Sequence, residues 1–287
     1  MRTIYIITAA MLLATVTGSN AQEKDHGPKG KAIVQIYTNF HSGFGAVNDD
    51  RGFALDRSYI GYEYDLKRGI RRKGVLDIGQ SSDVGDYQRI AYIKNAFIGW
   101  NWKKLTLSGG LIPTTQFGYQ ENFWGYRYVY GSFQDIYGFG SSADLGISAA
   151  YRFARWIEAD VIIANGEGFK KVQVNDGLLY GIGTTIMPFK GMSLRLYAGL
   201  NEGTDGAKEI INYAMFAGYK HRYFSLGVEY NIMRNSTILC ATVITWQGNT
   251  STASRFLQRE GQSVGSAYMP APTDSCQAMI GMSRKMK

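Results

Sequence analysis

Charged side chains recur inside segments of this sequence whose other residues alternate between apolar and polar. Six of them are candidates for contact with a dissolved molecule: Arg57, Lys94, Arg127, Arg195, Glu121 and Asp135. A guanidinium group presents a planar fork of donors that suits phosphate or carboxylate. Arg57 and Arg127 are therefore the first candidates for binding an anionic solute, although a structural ion pair explains any one of these residues equally well.

No motif in the sequence favours catalysis or metal binding. The chain has only three histidines, His26, His41 and His221, and no HExxH zinc motif. Residues 146–150 lack the final glycine of a nucleophile elbow. The acidic stretch 48–52 has residues that could bind calcium, but turns of this kind are usually only solvated. We therefore expect no enzymatic activity, no cofactor and no metal site.

The charged residues lie on segments with a period of two, which is typical of β-strands whose two faces meet different surroundings. Residues 156–164 are one example, with Ile157, Val161 and Ile163 on one face and Glu158 and Asp160 on the other. We predict eleven strands, at 31–40, 53–66, 74–80, 90–102, 105–112, 144–153, 156–164, 177–187, 192–200, 210–219 and 223–232. In 90–102 both faces are mixed, so the sequence does not assign them.

Tight turns such as 103–104 and 220–221 alternate with longer polar loops, and many strand ends carry Tyr, Trp or Phe. This pattern is typical of an antiparallel transmembrane β-barrel with aromatic girdles. The charged strand residues must then face a water-filled interior, because Lys or Arg at the bilayer midplane costs about 2–4 kcal/mol. A soluble β-sandwich is the alternative, in which these charges lie on an outer face.

Residues 113–140 form a long segment without a period of its own, between two of the predicted strands. Such loops in compact domains are usually functional or disordered. This one is too aromatic for disorder, since it includes Phe117, Phe123, Trp124 and Phe133. We predict that it folds into the barrel and constricts it, which places Arg127 inside.

Residues 1–21 have a short basic start, an apolar core and small residues before position 22, as in a secretory signal peptide. The apolar run is shorter than the roughly twenty residues of a membrane-spanning helix. We expect export to the outer membrane and contact with its lipid. Half of the formal net charge of +8 comes from Arg2 and the segment after residue 234. Because the basic residues are not clustered, we expect no nucleic-acid partner.

The composition changes abruptly after residue 234. Residues 235–287 lose the alternation, contain both cysteines (Cys240 and Cys276) and end in Lys287. We therefore divide the chain into 1–21, a barrel segment at 22–234, and an atypical tail at 235–287. A shifted reading frame is our preferred interpretation of the tail, with a divergent tail or a periplasmic extension as the alternatives. In the first case the barrel is incomplete.

Several runs are similar to known sequences, among them RGFALDRSYIGYEYDL, LSGGLIPTTQF and DGLLYGIGTTIMPFKGMSLRLYAGLNEG. Over about residues 31–232 the chain resembles the family of the phosphate-selective porins O and P. The resemblance implies an outer-membrane barrel, generally of sixteen strands, with a loop folded inward. It further implies passive diffusion of small hydrophilic solutes and, weakly, a preference for anions such as phosphate. Porins of this type are often trimers, so a homotrimer is one implied state.

Two other functions remain as alternatives to a porin. One is a non-transporting outer-membrane barrel that serves as an adhesin or a structural protein. The other is an outer-membrane enzyme, which the missing catalytic motifs disfavour. Conductance in a planar bilayer separates a pore from both.

Overall fold

A computed structural model describes residues 29–42, 51–80, 88–125, 127, 132–204, 206–235, 240–248 and 265–269. One antiparallel sheet of thirteen strands runs through this part of the chain, and each strand pairs with its neighbours in the sequence. The strands are β1 (Lys29–Ser42), β2 (Arg51–Asp65), β3 (Ile70–Gln80), β4 (Arg89–Trp102), β5 (Leu105–Pro113), β6 (Ala143–Ala154), β7 (Ile157–Ala164), β8 (Leu179–Ile186), β9 (Met192–Asn201), β10 (Ile210–Lys220), β11 (Phe224–Arg234), β12 (Cys240–Gly248) and β13 (Gly265–Met269). The all-β, antiparallel architecture is as predicted.

The connections between strands are short at one end of the sheet and longer at the other. The short turns are 66–69, 103–104, 155–156, 187–191 and 221–223, and the longer connections include 114–142 and 165–178. We call these the short-turn end and the long-loop end. No helix among the described residues has the length and apolar character needed to cross a membrane.

Strand β3 begins at Ile70, four residues before the predicted start. The sequence predicts a basic turn there, but Arg71 Nε lies 3.2 Å from Asp65 Oδ1 and Lys73 Nζ lies 3.7 Å from Glu63 Oε2. Charge pairing with β2 therefore extends the ladder. Strands β12 and β13 were not predicted, because backbone pairing along the edge of β11 requires no alternation of side chains. The predicted signal peptide, 1–21, lies outside the described residues, as do 236–239, 249–264 and 270–287 of the predicted tail.

The distribution of apolar and polar side chains over the two faces of the sheet is the reverse of that in a soluble protein. Large apolar side chains are exposed on one face, such as Ile147 at 61% and Leu145 at 52%. The other face buries charged and polar residues, including Asp77 and Glu229, each 2% exposed. A surface that is apolar outside and polar inside is what a barrel in a lipid bilayer requires.

Two short helices, α1 (Gly118–Trp124) and α2 (Phe133–Ile136), lie in the connection between β5 and β6 and pack against the polar face. On one side, Asn212 Nδ2 on β10 donates to the carbonyl oxygen of Phe139 at 2.9 Å. On the other side, Glu121 and Arg127 share a cavity with residues of β1–β4. The segment thus contacts strands early in the strand order, β1–β4, and a strand late in it, β10. The sheet therefore curves around the segment.

A β-bulge in β4 explains why its faces were mixed in the sequence. Val75 pairs with Asn95, but Leu76 pairs with Ile93, so Lys94 is an extra residue in the ladder. Ile93 is 56% exposed on the outer face, while Asn95 is 6% exposed on the inner face. An extra residue shifts the alternation by one position, and Lys94 and Asn95 therefore both face inward.

Candidate functional site

The connecting segment carries a three-residue charge cluster that no strand contributes to. Arg127 Nη1 donates to Glu121 Oε2 on α1 at 2.5 Å, and Nη2 donates to Asp135 Oδ2 on α2 at 2.7 Å. The guanidinium thus ties the two helices together. The three side chains are only 13%, 22% and 25% exposed, in the order Arg127, Glu121 and Asp135.

The electrostatics of this cluster keep Arg127 charged. Burial of the guanidinium lowers its pKa, but the carboxylates of Asp135 and Glu121 outweigh burial and hold the pKa above its ordinary value. A guanidinium paired with two carboxylates leaves the segment with an excess of negative charge. The segment is therefore acidic on the side that it presents to the wall.

The wall opposite the cluster is basic and is centred on Tyr59. Lys94 Nζ donates to the Tyr59 hydroxyl at 3.1 Å and lies 4.5 Å from the centre of the tyrosine ring. Arg57 Nη1 also donates to this hydroxyl, at 3.4 Å. Arg57 Nε lies 3.1 Å from Asp77 Oδ1, and 30% of the Arg57 side chain is exposed. The bulge in β4 and the alternation of β2 bring the two cations to one place.

A cavity lies on each side of the charge cluster. The cavity toward the short-turn end has about 500 Å³ and is lined by Glu121, Arg127 and Lys94, among others. The cavity toward the long-loop end has about 590 Å³ and is lined by Asp135 and Arg57, among others. The cluster and the facing wall therefore form the narrow part between two polar spaces.

Five of the six predicted residues come together here: Arg57, Lys94, Arg127, Glu121 and Asp135. The structure places the sixth, Arg195, elsewhere. It is 4% exposed, and it donates to Asp160 at 2.7 and 3.0 Å and to Thr185 Oγ1 at 2.9 Å. Arg195 also donates to the carbonyl oxygen of Thr115. This residue lies between the wall and the segment and fastens one to the other.

Sequence reasoning missed the residues that hold the segment on the opposite wall. Glu229 on β11 accepts a hydrogen bond from the Trp124 side chain, and Lys220 Nζ on β10 donates to the carbonyl oxygen of Phe123 at 3.0 Å. Phe123 also packs on Phe216, with ring centres 5.0 Å apart. An aromatic segment between strands that carry inward charges indicates such contacts in general, but no spacing in the sequence identifies the pairs.

Known structures with a similar fold are outer-membrane proteins. OmpT of Vibrio cholerae matches 78% of this chain over 71% of its own length, with a TM-score of 0.50 and 15% identity. A loop L8 deletion mutant of the same protein matches 77% of this chain over 76% of its length, with a TM-score of 0.44 and 15% identity. A mutant of Rh. blastica porin matches 79% over 91%, with a TM-score of 0.42 and 11% identity.

Sequence comparison adds nothing to these structural matches. No family model and no curated protein matches this sequence. The likeness to OmpT concerns the fold, because its identity is 15%. The chain therefore has the β-barrel fold of outer-membrane porins.

Proposed function

We propose that this protein is a passive diffusion channel for small hydrophilic solutes in an outer membrane. The observation that supports it best is the segment with Arg127, Glu121 and Asp135, which lies inside the curved sheet between two polar cavities. A structural or adhesive barrel has no need of a charged constriction. The polar inner face and the apolar outer face are consistent with water inside and lipid outside.

The charges favour anions in one half of the pathway. Lys31, Lys73, Lys94 and Arg127 line the cavity toward the short-turn end together with two carboxylates, those of Glu63 and Glu121. An excess of cationic side chains in a confined space raises the local concentration of anions. Phosphate is one small anion that fits this preference, in keeping with the resemblance to the phosphate-selective porins. The narrow part itself balances Arg57 and Lys94 on the wall against the acidic segment, so we expect the preference to be modest.

Planar-bilayer recording of the refolded chain tests the proposal. We expect stable open channels and, in a salt gradient, a reversal potential that reports anion preference. The double variant Arg57→Gln and Lys94→Gln should shift the reversal potential toward cations, while Arg155→Gln on the exposed turn 155–156 should leave it unchanged. A folded barrel without conductance would contradict the proposal and support an adhesin or an enzyme.

Three further expectations from the sequence belong to the same proposal. Residues 1–21 direct export and are removed, which N-terminal sequencing of the mature protein tests. The channel assembles as a homotrimer, which its mass in mild detergent tests. The atypical composition of 235–287 reflects a shifted frame, which translation of the other two frames of the coding DNA tests: alternating strands and a terminal Phe are expected there.

A further inference from the structure

The outer face of β2–β5 carries a shallow trough toward the short-turn end. Its floor consists of Gly74, Ala96 and Gly109, small residues on three neighbouring strands, and it has a volume of about 520 Å³. Gly74 pairs with Ala96 across the ladder, and a Cβ added at Gly74 would meet nothing within 4 Å. The trough therefore has room for a flexible apolar chain that lies along the wall.

Aromatic and apolar side chains border this trough. Tyr62 and Tyr64 stand on β2 with ring centres 6.4 Å apart, and Ile98 stands on β4 with 56% of its surface exposed. Trp100 and Trp102 stack at 6.1 Å next to it, toward the short turns. Tyr and Trp favour the level of the lipid headgroups. These aromatic residues therefore place the part of the trough nearest the short turns at the membrane surface.

The cationic side chain of Arg72 lies at the part of the trough nearest the short turns. Arg72 pairs with Tyr64 in the ladder, lines the trough and is exposed. Its neighbours Arg71 and Lys73 face inward and pair with Glu63 and Asp65, whereas Arg72 has no carboxylate partner within the described part of the chain. A lipid-facing guanidinium is costly unless it reaches the headgroup level or an anion.

The short turns next to the trough add positive charge. Turn 103–104 consists of Lys103 and Lys104, and Lys103 Nζ lies 5.2 Å from the centre of the Trp102 ring. Turn 66–69 contains Arg68 and approaches the end of β4, since a Cβ on Gly69 would lie 2.2 Å from the carbonyl oxygen of Asn101. Lys and Arg near a membrane surface attract anionic headgroups.

We infer that this trough binds one anionic phospholipid, with its phosphate on Arg72 and one acyl chain over Gly74 and Ala96. The charge complementarity at Arg72 and the apolar floor select a lipid over a second copy of the chain, whose outer face is apolar. The inference rests on the placement of the barrel in a membrane, and it is independent of which solutes pass through.

Native mass spectrometry of the refolded full chain tests the inference. The protein in neutral detergent is mixed with equal amounts of dioleoyl phosphatidylglycerol and dioleoyl phosphatidylcholine. We expect one phosphatidylglycerol per chain, preferred about fivefold, which is the preference that about one cationic contact supplies. Arg72→Gln should abolish the preference, and Gly74→Leu should remove the retained lipid.

Two control variants keep the comparison matched. Arg155→Gln removes a cation from another short turn, and Ala149→Leu enlarges a residue of β6 outside the trough. Both should retain lipid as the unaltered chain does. Equal retention of the two lipids, or unaltered retention by Arg72→Gln, would overturn the inference.

Two further readouts identify the occupant. Loss of the lipid in excess inorganic phosphate would show that only a phosphate site exists, and a lipid-free dimer would show that a second copy covers the trough; either result overturns the inference. Conductance of the Arg72→Gln variant should equal that of the unaltered chain. A barrel that conducts no ions but still retains phosphatidylglycerol would contradict the proposed function and would leave the inference about the lipid intact.

Discussion

Gly218 on β10 pairs directly with Gly227 on β11. A Cβ on Gly218 would lie 2.7 Å from the tip of the Phe123 ring, and a Cβ on Gly227 would lie 2.7 Å from the Trp124 ring. The two glycines therefore form a recess in the wall that receives the end of α1. Helix α1 can lie this close to the sheet because neither residue has a side chain there.

Filling the recess should displace helix α1. We expect Gly218→Ala to destabilise the barrel by about 1–3 kcal/mol, the usual cost of overpacking, and to change the conductance of the proposed channel, because the packed rings of Phe216 and Phe123 must both move. Thermal unfolding and single-channel conductance measure the two effects. Gly118→Ala is the control, since a Cβ there meets nothing within 4 Å; equal behaviour of the two variants would contradict the role of the recess.

Removal of the guanidinium from the charge cluster should change ion selectivity. Arg127→Gln leaves the carboxylates of Glu121 and Asp135 without their cation, so the narrow part becomes more negative. We expect the reversal potential in a salt gradient to shift toward cations. The double variant Arg127→Gln and Glu121→Gln, which keeps the net charge of the unaltered cluster, should restore it. An unchanged reversal potential in Arg127→Gln would show that ions do not pass this cluster.

The charge of Arg127 should not depend on pH in the range where the protein is handled. Its folded-state pKa is raised above the ordinary value, so the stability it contributes is complete below the unfolded pKa and is lost only as the pH rises through the folded pKa. Both pKa values lie well above the range in which the protein is handled. A lysine has an ordinary pKa near about 10.4, so Arg127→Lys should lose stability relative to the unaltered chain only as the pH rises from about 10 to about 12. Thermal unfolding midpoints of the two proteins across this range test the prediction, and parallel curves would contradict it.

The Arg195–Asp160 pair should contribute to stability and to the position of the segment. Arg195→Met leaves the Asp160 carboxylate buried without its cation, which costs about 3–5 kcal/mol. It also removes the hydrogen bond to Thr115 at the start of the segment, so we expect noisier channel currents. The double variant with Asp160→Asn should recover much of the stability but not the quiet current. Denaturant unfolding and current noise separate the two roles.

The sequence predicted the strands because their alternation is itself the physical requirement. A strand whose outer face meets lipid needs an apolar residue at every second position, and Ile147 and Ile163 are exposed in this pattern. The packing of α1 and α2 against the polar face agrees with the aromatic content of this part of the sequence, because so many aromatic residues need a surface to pack on. Boundaries were less predictable: β3 starts early because Arg71 and Lys73 pair with carboxylates on β2.

Individual contacts at the site could not be predicted, because they depend on register. From the sequence, Arg195 is predicted to be a charge that faces the interior of the barrel. Only the pairing of the strands, which places Arg195 across from Thr185 and next to Asp160, shows that Arg195 and Asp160 lie between the wall and the segment. Trp124 and Glu229 are more than a hundred positions apart, and no local pattern links them. Pairing between distant strands determines such contacts.

The extra residue in β4 has a consequence for how such a pore could change over time. Deletion of Ile93, just before the extra residue, would restore strict alternation and move Lys94 to the outward-facing position, so its ammonium group would turn from water to hydrocarbon without any substitution. In the proposed channel, the charge on the inner wall thus depends partly on the number of residues in a strand, and the gain or loss of a single codon changes it.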